Sequence, residues 1–483
     1  MIRYEELENY KDYTIVPLSK SILSDFITPI EALRKLKKID NHVFLLESVH
    51  RQEFVGRFSF LGFDPKMEIT CKDGEVCIKD KEGNITKQNN PCKVLDNILK
   101  QYKSKRFDDM PPFTGGLVGY FAYDFVKYSD NKCVINSKDE ENFKDMDLML
   151  FDKIIAFDNV SQKIEIIVNV ERDCSIDAYN TAVREIEKIE NILKHADKDE
   201  YICGKIRGDI NALFDKEKYC AMVKKAKKHI YEGDIFQVVL SNRLSADYRG
   251  SILNVYRILR TTNPSPYMFY FGSDDMEMSG ASPETLVKLD NGTLYTFPLA
   301  GTRRRGKTKE EDITLERELL ADEKERAEHN MLVDLGRNDL GKICKFGSVE
   351  VEKYMDILRF SHVMHIGSTV KGTIKDEYSP VDAIKSVLPA GTLSGAPKKR
   401  AMEIIDELED NKRGVYGGAI GYIDFAGNMD MCIAIRLVFK KNNKIFIRSG
   451  AGIVADSIPE NEYNECIQKA KAVVEAVNIA ENI

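Results

Sequence analysis

The pattern of apolar and polar positions near the end of the chain predicts an amphipathic helix over residues 459–478. Pro459 suits its first turn, where a missing N–H costs nothing. The residues at helical spacing that form its apolar face are Tyr463, Cys466, Ile467, Ala470, Val473, Val474 and Val477. Glu462, Glu465 and Lys469 lie together along one edge of this face, so two carboxylates fall on neighbouring turns.

A second helix is predicted over residues 319–335, and Gly336 is predicted to stop it. Glu328 has mostly apolar neighbours at helical spacing, and Glu325 lies one turn before it. A carboxylate on such a face protonates, pairs with a cation or binds a metal. The ordinary interpretation is a salt bridge, for which Lys324 is within reach. However, two pairs of carboxylates on two helices also suit Mg²⁺, whose remaining positions would be filled by waters and an acidic small molecule.

Alternating and buried apolar runs predict a β-rich first half, with strands over 43–48, 56–62 and 163–170 and a helix over 175–195. The glycine-rich run 115–120 lacks the spacing and the lysine of a phosphate loop, so it predicts close packing in a sheet. Residues 196–214 are the predicted linker. The regions on either side of it are 13–195 and 215–480.

The second half begins with a helix that Asp215 caps and that runs to Tyr231. A turn then leads into a buried strand over 237–241, and further strands are predicted over 268–272 and 285–289. Because strands and helices do not alternate regularly, the sequence predicts an α+β fold with large sheets.

Composition narrows the possible classes of function. The chain of 483 residues is 43% hydrophobic and 31% charged, which is globular composition. Its net charge of −7 argues against nucleic acid as a main partner, and no apolar run is long enough to span a membrane. No apolar segment of a signal peptide opens the sequence. The 10 cysteines include no C-x-x-C pair, which favours free thiols in a reducing cytoplasm.

Five motifs in order resemble those of the chorismate-utilising enzymes. They are PLAGTR at 298–303, ERAEH at 325–329, SHVMH at 361–365, PAGTLSGAPK at 389–398 and GAGIVADS at 450–457. The resemblance covers almost the whole chain. It implies the two-lobed sandwich of that family, in which large antiparallel sheets are packed with helices.

The resemblance also implies the ligands of a metal and a substrate. It puts Mg²⁺ on Glu328 and Glu465, with Glu325 and Glu462 supporting through the ion or its waters. The chorismate oxygens are then expected near Gly301, Thr302, Tyr416, Arg436, Gly450, Ala451, Gly452 and Lys469. Glycine N–H groups can approach an oxyanion that a side chain would block, and an arginine can bind a carboxylate through two parallel hydrogen bonds. Tyr416 and Thr392 also admit a purely structural interpretation.

The same resemblance implies the chemistry. Glu284 matches the general acid that protonates the departing C4 hydroxyl of chorismate, and Thr392 belongs to the same catalytic group. Gln237 stands where water-adding relatives have a lysine base, and Ala300 where relatives that aminate C4 have a lysine nucleophile. Both replacements point to ammonia adding at C2. Pyruvate is then lost with help from His365, which leaves anthranilate, whereas His362 is expected to be structural.

Partners follow from this reaction. The chain has no recognisable glutamine-hydrolysing cysteine motif, so the resemblance implies a separate glutamine amidotransferase subunit, in a heterotetramer, that supplies ammonia. It further implies feedback inhibition by L-tryptophan, since the reaction would be the first committed step of tryptophan biosynthesis. The expected tryptophan-binding residues are Leu46, Glu47, Ser48, Pro266, Tyr267 and Met268. The alternative interpretation of this segment is a turn packed on a strand.

Three rival functions remain open at this point. The first is aminodeoxychorismate synthase, against which Ala300 argues. The second is a 2-amino-2-deoxyisochorismate synthase, which stops at the aminated intermediate. The third is a tryptophan-binding regulatory protein with an inactive site. The sequence departs from the pattern of the family at three positions, Leu437, Gly367 and Ser449. These departures affect how the substrate is positioned and do not remove a catalytic group.

Overall fold

The computed structural model describes residues 1–48, 56–129, 135–197, 203–359 and 363–483. The strands β1 to β24 are Ile15–Leu23, Val43–Glu47, Phe58–Phe63, Met67–Lys72, Glu75–Asp80, Ile85–Asn89, Gly116–Phe121, Met146–Phe151, Lys153–Asp158, Lys163–Glu171, Lys205–Ala212, Gln237–Arg249, Tyr267–Gly272, Met276–Ser282, Thr285–Asp290, Thr293–Thr296, Leu299–Arg304, Glu350–Arg359, Val363–Thr373, Gly395–Ala396, Ala419–Asp424, Met429–Ile433, Leu437–Lys441 and Lys444–Ile453.

The helices α1 to α10 are Pro29–Lys37, Pro91–Gln101, Ile176–His195, Lys216–Tyr231, Leu253–Thr262, Lys309–Ala321, Glu323–Gly341, Pro380–Val387, Lys398–Glu409 and Pro459–Ala480. Short 3-10 helices cover Tyr4–Tyr10, Tyr123–Tyr128 and Gly391–Leu393. None of the helices in the described part of the chain combines the length and the apolar character needed to cross a bilayer.

The strands form two 12-stranded sheets. The first has the order β1-β10-β9-β3-β2-β13-β14-β23-β24-β12-β11, and β20 pairs with β12. The second has the order β17-β19-β16-β15-β22-β21-β7-β8-β4-β5-β6, and β18 pairs with β19. The prediction of an α+β fold with large antiparallel sheets is confirmed. Both sheets contain strands from both halves of the chain, so the predicted regions 13–195 and 215–480 do not correspond to separate sheets.

An aromatic core lies between the sheets, where Phe44 on β2 meets Phe151 on β8 with ring centres 4.8 Å apart. The outer face of the first sheet packs on α1, α3, α5 and α10. The outer face of the second sheet packs on α2, α7 and α8. Gly116 and Gly119 allow the close strand packing predicted for 115–120, because a Cβ at either residue would lie 2.1 Å from a carbonyl oxygen.

The helix predicted over 319–335 is wrong at both ends. The carboxylate of Asp322 accepts hydrogen bonds from the N–H groups of Lys324 and Glu325, so it ends α6 and caps α7. Helix α7 then continues through Gly336, where a Cβ would lie 3.0 Å from Thr296 Cγ2. Close packing therefore explains this glycine, which does not end the helix. The helix predicted over 459–478 is confirmed as α10, two residues longer.

The predicted linker 196–214 contains a strand, β11, which pairs with β12 at the edge of the first sheet. An edge strand buries little surface, and most residues of β11 are exposed. Its sequence therefore lacks the alternation that marks a strand. Residues 198–202 of this segment lie outside the described residues.

Candidate active site

Glu284 follows β14 and lies beside the short 3-10 helix that carries Thr392. The Thr392 hydroxyl donates a hydrogen bond to Glu284 Oε1 at 3.1 Å. Burial raises the pKa of the Glu284 carboxyl to about 7, against the opposing effects of this hydrogen bond and the charges of Lys469 and Arg436. Glu284 is therefore partly protonated near neutral pH, as a general acid requires.

His365 on β19 faces the irregular end of β17. Its Nδ1 lies 3.0 Å from the carbonyl oxygen of Gly301 and 3.1 Å from the hydroxyl of Thr302. The carbonyl can only accept, so Nδ1 carries the proton and Nε2 is the basic nitrogen. Burial, assisted by the charge of Arg436, lowers the pKa of His365. The ring is thus neutral near pH 7 and able to accept a proton.

Arg436 lies between β22 and β23, where its backbone has φ of 51°. This left-handed conformation is unusual for a residue with a side chain and is often found at functional sites. Its charge acts on both Glu284 and His365. Within the described part of the chain, no residue accepts a hydrogen bond from its guanidinium, so the group is available for an anionic ligand.

Strand β24 brings Gly450 and Gly452 to the same site. A Cβ at Gly450 would lie 2.6 Å from the Leu240 carbonyl oxygen and 3.0 Å from the Tyr416 hydroxyl. A Cβ at Gly452 would lie 2.8 Å from Gln237 Nε2. A side chain at either position would clash with these atoms, so close packing at the site explains both glycines.

Lys469 and Ala451 were also predicted to bind the substrate. Lys469 on α10 donates to the Gly450 carbonyl oxygen at 3.2 Å. By contrast, Ala451 points to the other face of β24 and packs into the apolar cluster beneath it. Its side chain therefore does not face the site.

The four glutamates predicted for the metal lie on α7 and α10. Arg303 pairs with Glu325 at 3.3 Å, and Lys469 pairs with Glu465 at 2.7 Å. The salt bridge considered for Glu328 is absent from the described residues. Glu328 as a whole residue is exposed, but the protein atoms around its carboxyl and then the charge of Glu325 raise its pKa; Glu465 adds to this effect, and Lys324 and Lys469 oppose it. Burial likewise raises the pKa of Glu462. The two helices thus bring together more negative charge than the local cations neutralise.

This donor set fits Mg²⁺ chemically, since it consists of oxygen ligands only and carries excess negative charge. The four glutamates are not among the described groups of three ligands that lie within 4.8 Å of one another. Mg²⁺ usually keeps several waters, so such spacing leaves room for water and substrate oxygens. One group that does meet this distance, Glu68, Asp147 and Asp275, surrounds the ammonium of Lys144.

A buried ionic network beneath the site was not predicted. The Arg413 guanidinium donates to the carbonyl oxygens of Leu393 at 2.7 Å and Val239 at 2.8 Å, and it pairs with Glu409. Arg448 also binds Glu409, at 3.2 Å. The network therefore ties the segment of Thr392 to β12 and β24. Its only signal in the sequence is the spacing of four residues between Glu409 and Arg413.

A separate cavity of about 550 Å³ lies between the two sheets. All six residues predicted to bind tryptophan line it: Leu46, Glu47, Ser48, Pro266, Tyr267 and Met268. The hydroxyl oxygen of Ser48 is buried and has no hydrogen-bond partner among the described residues. The Glu47 carboxylate pairs with Arg260 at 2.8 Å and accepts a hydrogen bond from the Tyr256 hydroxyl at 2.6 Å. Its negative charge is therefore already balanced within the protein.

One residue connects this cavity to the general acid. Thr285 follows Glu284 in the sequence and lines both the large cavity and a small pocket of about 50 Å³ that contains Glu284 and Thr392. The Tyr267 hydroxyl lies 2.8 Å from the Thr285 hydroxyl and donates to Asp430 at 2.8 Å. A ligand that moves Tyr267 would therefore act on the segment that carries Glu284.

The three departures from the family pattern have structural explanations. The Ser449 hydroxyl donates to the Cys466 carbonyl oxygen at 2.7 Å, which links β24 to α10. Gly367 leaves space for Leu358, whose Cδ1 would lie 2.6 Å from a Cβ there. Leu437 is buried in the aromatic core. Ser361 and His362 of the third motif lie outside the described residues.

Comparison with known proteins agrees with this arrangement. A family model described as chorismate binding enzyme matches residues 41–475. Anthranilate synthase component 1 of Acetivibrio thermocellus is 44% identical over 482 residues, covering 98% of this chain and 97% of the relative. The corresponding protein of Aquifex aeolicus is 44% identical over 487 residues, with coverage of 98% and 96%.

Solved structures give the same result. The crystal structure of anthranilate synthase component I from Streptococcus pneumoniae is 38% identical, has a TM-score of 0.75, and covers 94% of this chain and 98% of its own. The menaquinone-specific isochorismate synthase of Escherichia coli is 19% identical with a TM-score of 0.71, covering 98% and 99%, and shares the fold. The chain therefore belongs to the family of chorismate-binding enzymes, within which it is similar over almost its whole length to component 1 of anthranilate synthase.

Proposed function

We propose that this chain is the synthase subunit of an anthranilate synthase, a lyase that converts chorismate and ammonia to anthranilate, pyruvate and water. The observation that carries the proposal is the arrangement around Glu284. A carboxyl with a pKa of about 7 lies beside Thr392 and within the electrostatic reach of Arg436, and neutral His365 is within reach of the same arginine's charge. This arrangement offers a proton donor, an anion-binding group and a base in one cleft.

The first chemical step is loss of the C4 hydroxyl. Glu284 gives its proton to this oxygen, the C4–O bond breaks and water leaves. Arg436 and the backbone N–H groups beside Gly450 and Gly452 hold the substrate carboxylates, which fixes the ring relative to Glu284. The protonated state of Glu284 near neutrality makes the step possible without a stronger acid.

Ammonia then forms a bond to C2 and loses one proton. Gln237, near Gly452, contains no group that takes a proton from water, so it does not favour hydroxide as the nucleophile. Nε2 of His365 next removes the C2 proton. The C3–O bond breaks as the ring becomes aromatic, and the enolpyruvyl group leaves as pyruvate after taking up a proton.

Glu328 and Glu465 would hold Mg²⁺, with Glu325 and Glu462 supporting it through the ion or its waters. When bound, the ion supplies positive charge that holds a substrate carboxylate and offsets the repulsion among these glutamates. Until then, Arg303 and Lys469 partly neutralise Glu325 and Glu465.

The test of this function uses the purified chain with chorismate, Mg²⁺ and ammonium at mildly alkaline pH. We expect anthranilate fluorescence and equimolar pyruvate, both suppressed by EDTA. The chain contains no tryptophan that would obscure the signal. A non-aromatic amino product identified by mass spectrometry would instead indicate aminodeoxychorismate synthase or 2-amino-2-deoxyisochorismate synthase. No turnover with any nitrogen source would favour a regulatory protein.

We also propose that L-tryptophan inhibits the enzyme by binding in the 550 Å³ cavity. Carbonyl oxygens near Pro266 would accept from the ammonium group of the amino acid, and the apolar walls suit an indole. Displacement of Tyr267 would reach Glu284 through Thr285. Such an enzyme would act in the cytoplasm with a glutamine amidotransferase subunit in a heterotetramer, at the first committed step of tryptophan biosynthesis.

The substitution Ser48→Phe is expected to remove this inhibition and spare catalysis. A phenyl ring would fill the space around the buried Ser48 hydroxyl, so the inhibitory constant for tryptophan should rise at least about tenfold. Because the protein lacks tryptophan, binding can be followed by the fluorescence of the ligand itself. Ser21→Phe, on an exposed position of β1, is the control. Unchanged tryptophan affinity in Ser48→Phe would contradict this assignment.

A further inference from the structure

A buried histidine on α7 has no part in the chemical steps proposed above. His329 directly follows Glu328 in the sequence and is fully buried. Its Nε2 lies 2.6 Å from the hydroxyl oxygen of Ser368 on β19. The other ring nitrogen, Nδ1, is buried and has no hydrogen-bond partner among the described residues. The orientation of the ring is therefore set by the contact with Ser368 and by packing.

Ser368 is itself held firmly in the second sheet. Its backbone N–H donates to the Pro298 carbonyl oxygen at 3.0 Å, and its hydroxyl oxygen accepts from the N–H of Met355 at 3.0 Å. Met355 lies at an irregularity in the pairing of β18 with β19 and has φ of 57°. The N–H of such a bulged residue is left out of the strand ladder and needs another acceptor. The Ser368 hydroxyl therefore joins β18, β19 and α7 at one point.

This junction lies between the base and the predicted metal ligands. Strand β19 carries His365 three residues before Ser368, and α7 carries Glu325 four residues before His329. His365 Nδ1 lies 3.0 Å from the Gly301 carbonyl oxygen. A Cβ at Gly301 would lie only 3.2 Å from Glu325 Oε2. The base and the glutamates of α7 thus approach each other at Gly301, where a small shift of α7 along β19 would change the distance between them.

The first turns of α7 have few other anchors. The residues of this helix before His329 are exposed, except for the partly buried Glu325. His329 is the first fully buried residue, and the buried apolar residues Leu332 and Val333 follow it. Apolar packing has no preferred direction, whereas a hydrogen bond requires a defined distance and angle. The contact between His329 and Ser368 therefore fixes the position of this end of the helix more precisely than packing does.

We propose that His329 is a positioning residue, whose hydrogen bond to Ser368 holds Glu325 and Glu328 at a set distance from His365. The inference rests on the proposed function, in which a cation on these glutamates and the base act on one substrate. In this role His329 does not bind the ion or the reacting atoms, and it acts through the placement of α7 on β19. Residues that orient metal ligands in this way contribute about 10- to 100-fold to metal affinity or activity.

The experiment compares His329→Leu with His329→Gln. Leucine fills much of the space of the ring but cannot form a hydrogen bond, whereas the glutamine amide can still bond to the Ser368 hydroxyl. In His329→Leu we expect the Mg²⁺ concentration that gives half of the rise in melting temperature to increase about tenfold or more, and kcat/KM for chorismate with ammonium salts to fall by a similar factor. His329→Gln should recover most of both. Without Mg²⁺, His329→Leu should melt within a few degrees of the unchanged chain, because leucine also removes a buried nitrogen that has no partner.

A double-mutant cycle tests whether the two residues act together. Ser368→Ala should weaken the response to Mg²⁺ as His329→Leu does. The double variant should be no worse than the more affected single variant, since both changes break the same hydrogen bond. Asn330→Leu is the matched control. Asn330 is the exposed neighbour of His329 and accepts from the Tyr354 hydroxyl of β18 at 2.6 Å, so this change breaks a hydrogen bond of α7 that does not reach β19. It should keep the Mg²⁺ response and the activity.

The outcomes separate this inference from the proposed function. If His329→Leu keeps the Mg²⁺ response, or if its effect and that of Ser368→Ala simply add, the positioning role is wrong. A large loss of melting temperature without Mg²⁺, with no recovery of the Mg²⁺ response in His329→Gln, would show a purely structural role and also overturn it. If the unchanged chain makes no anthranilate from ammonium salts, the proposed function fails, and the Mg²⁺ response of the variants still decides whether His329 positions the glutamates.

Discussion

The substitution Glu284→Gln is expected to reduce kcat by about 10²- to 10⁴-fold, the usual contribution of a general acid. The amide has nearly the same shape and can still accept from Thr392, but it cannot release a proton to the C4 oxygen. The affinity for chorismate should change little, because Arg436 and the glycines of β24 are untouched. Rates of anthranilate formation and a substrate-binding titration measure the two effects separately.

The pH profile provides a more specific readout for Glu284. Its protonated form is the active one, so kcat/KM for chorismate should fall as pH rises through about 7. Free ammonia must be held constant across the series, since ammonium salts supply more of it at higher pH. The two carboxylates of bound chorismate disfavour ionisation of Glu284, so kcat should fall only at a higher pH than kcat/KM.

Thr392→Val is the companion variant to Glu284→Gln. The Thr392 hydroxyl donates to the ionised carboxylate and therefore lowers the pKa of Glu284. Removing the hydroxyl should raise this pKa and move the alkaline fall of kcat/KM to higher pH, with activity retained below pH 7. A Glu284→Gln variant that keeps the same alkaline fall would show that another group is the acid.

The sequence predicted those elements whose local signals agree with their tertiary setting. Asp215 caps α4 as predicted, and the helix predicted over 175–195 forms as α3, with Ser175 as its N-cap; both helices bury an apolar face. The errors arose where these signals conflict. Asp322 interrupts an apolar run to start a new helix, and β11 forms at a sheet edge where little surface is buried.

The candidate site was predictable to the extent that its residues lie in short motifs. Spacing alone paired Glu325 with Glu328 and Glu462 with Glu465. The buried network of Glu409, Arg413 and Arg448 was not predictable, because its members bind backbone atoms as far as 174 residues away. Such contacts depend on the arrangement of strands in the first sheet, which no local pattern encodes.

The second large effect on activity is expected from the glutamates that are predicted to bind Mg²⁺. Glu328→Gln is expected to lower kcat/KM by about 10²-fold or more, because it replaces a charged metal ligand with a neutral, weaker one. The same change removes one of the mutually repelling charges on α7 and α10. The metal-free variant should therefore be at least as thermally stable as the unchanged chain, even though it has lost activity.

Thermal unfolding with and without Mg²⁺ distinguishes this explanation from general damage to the fold. An ion that binds the folded state raises the melting temperature in a concentration-dependent way. The unchanged chain should show this rise, and Glu328→Gln should lose most of it. Glu323→Gln is the matched control, since Glu323 is an exposed glutamate in the first turn of the same helix. It should keep both the rise and full activity.

The combination of the two readouts excludes a purely structural role for Glu328. If Glu328 only stabilised the fold through a salt bridge, its replacement would lower the melting temperature and leave the Mg²⁺-dependent rise intact. No such ion pair with Glu328 is present among the described residues, and its raised pKa reflects burial and repulsion. If Glu328→Gln keeps or raises the melting temperature while it loses turnover and the Mg²⁺-dependent rise, the charge of Glu328 is one that is balanced only when the cation and the substrate are bound.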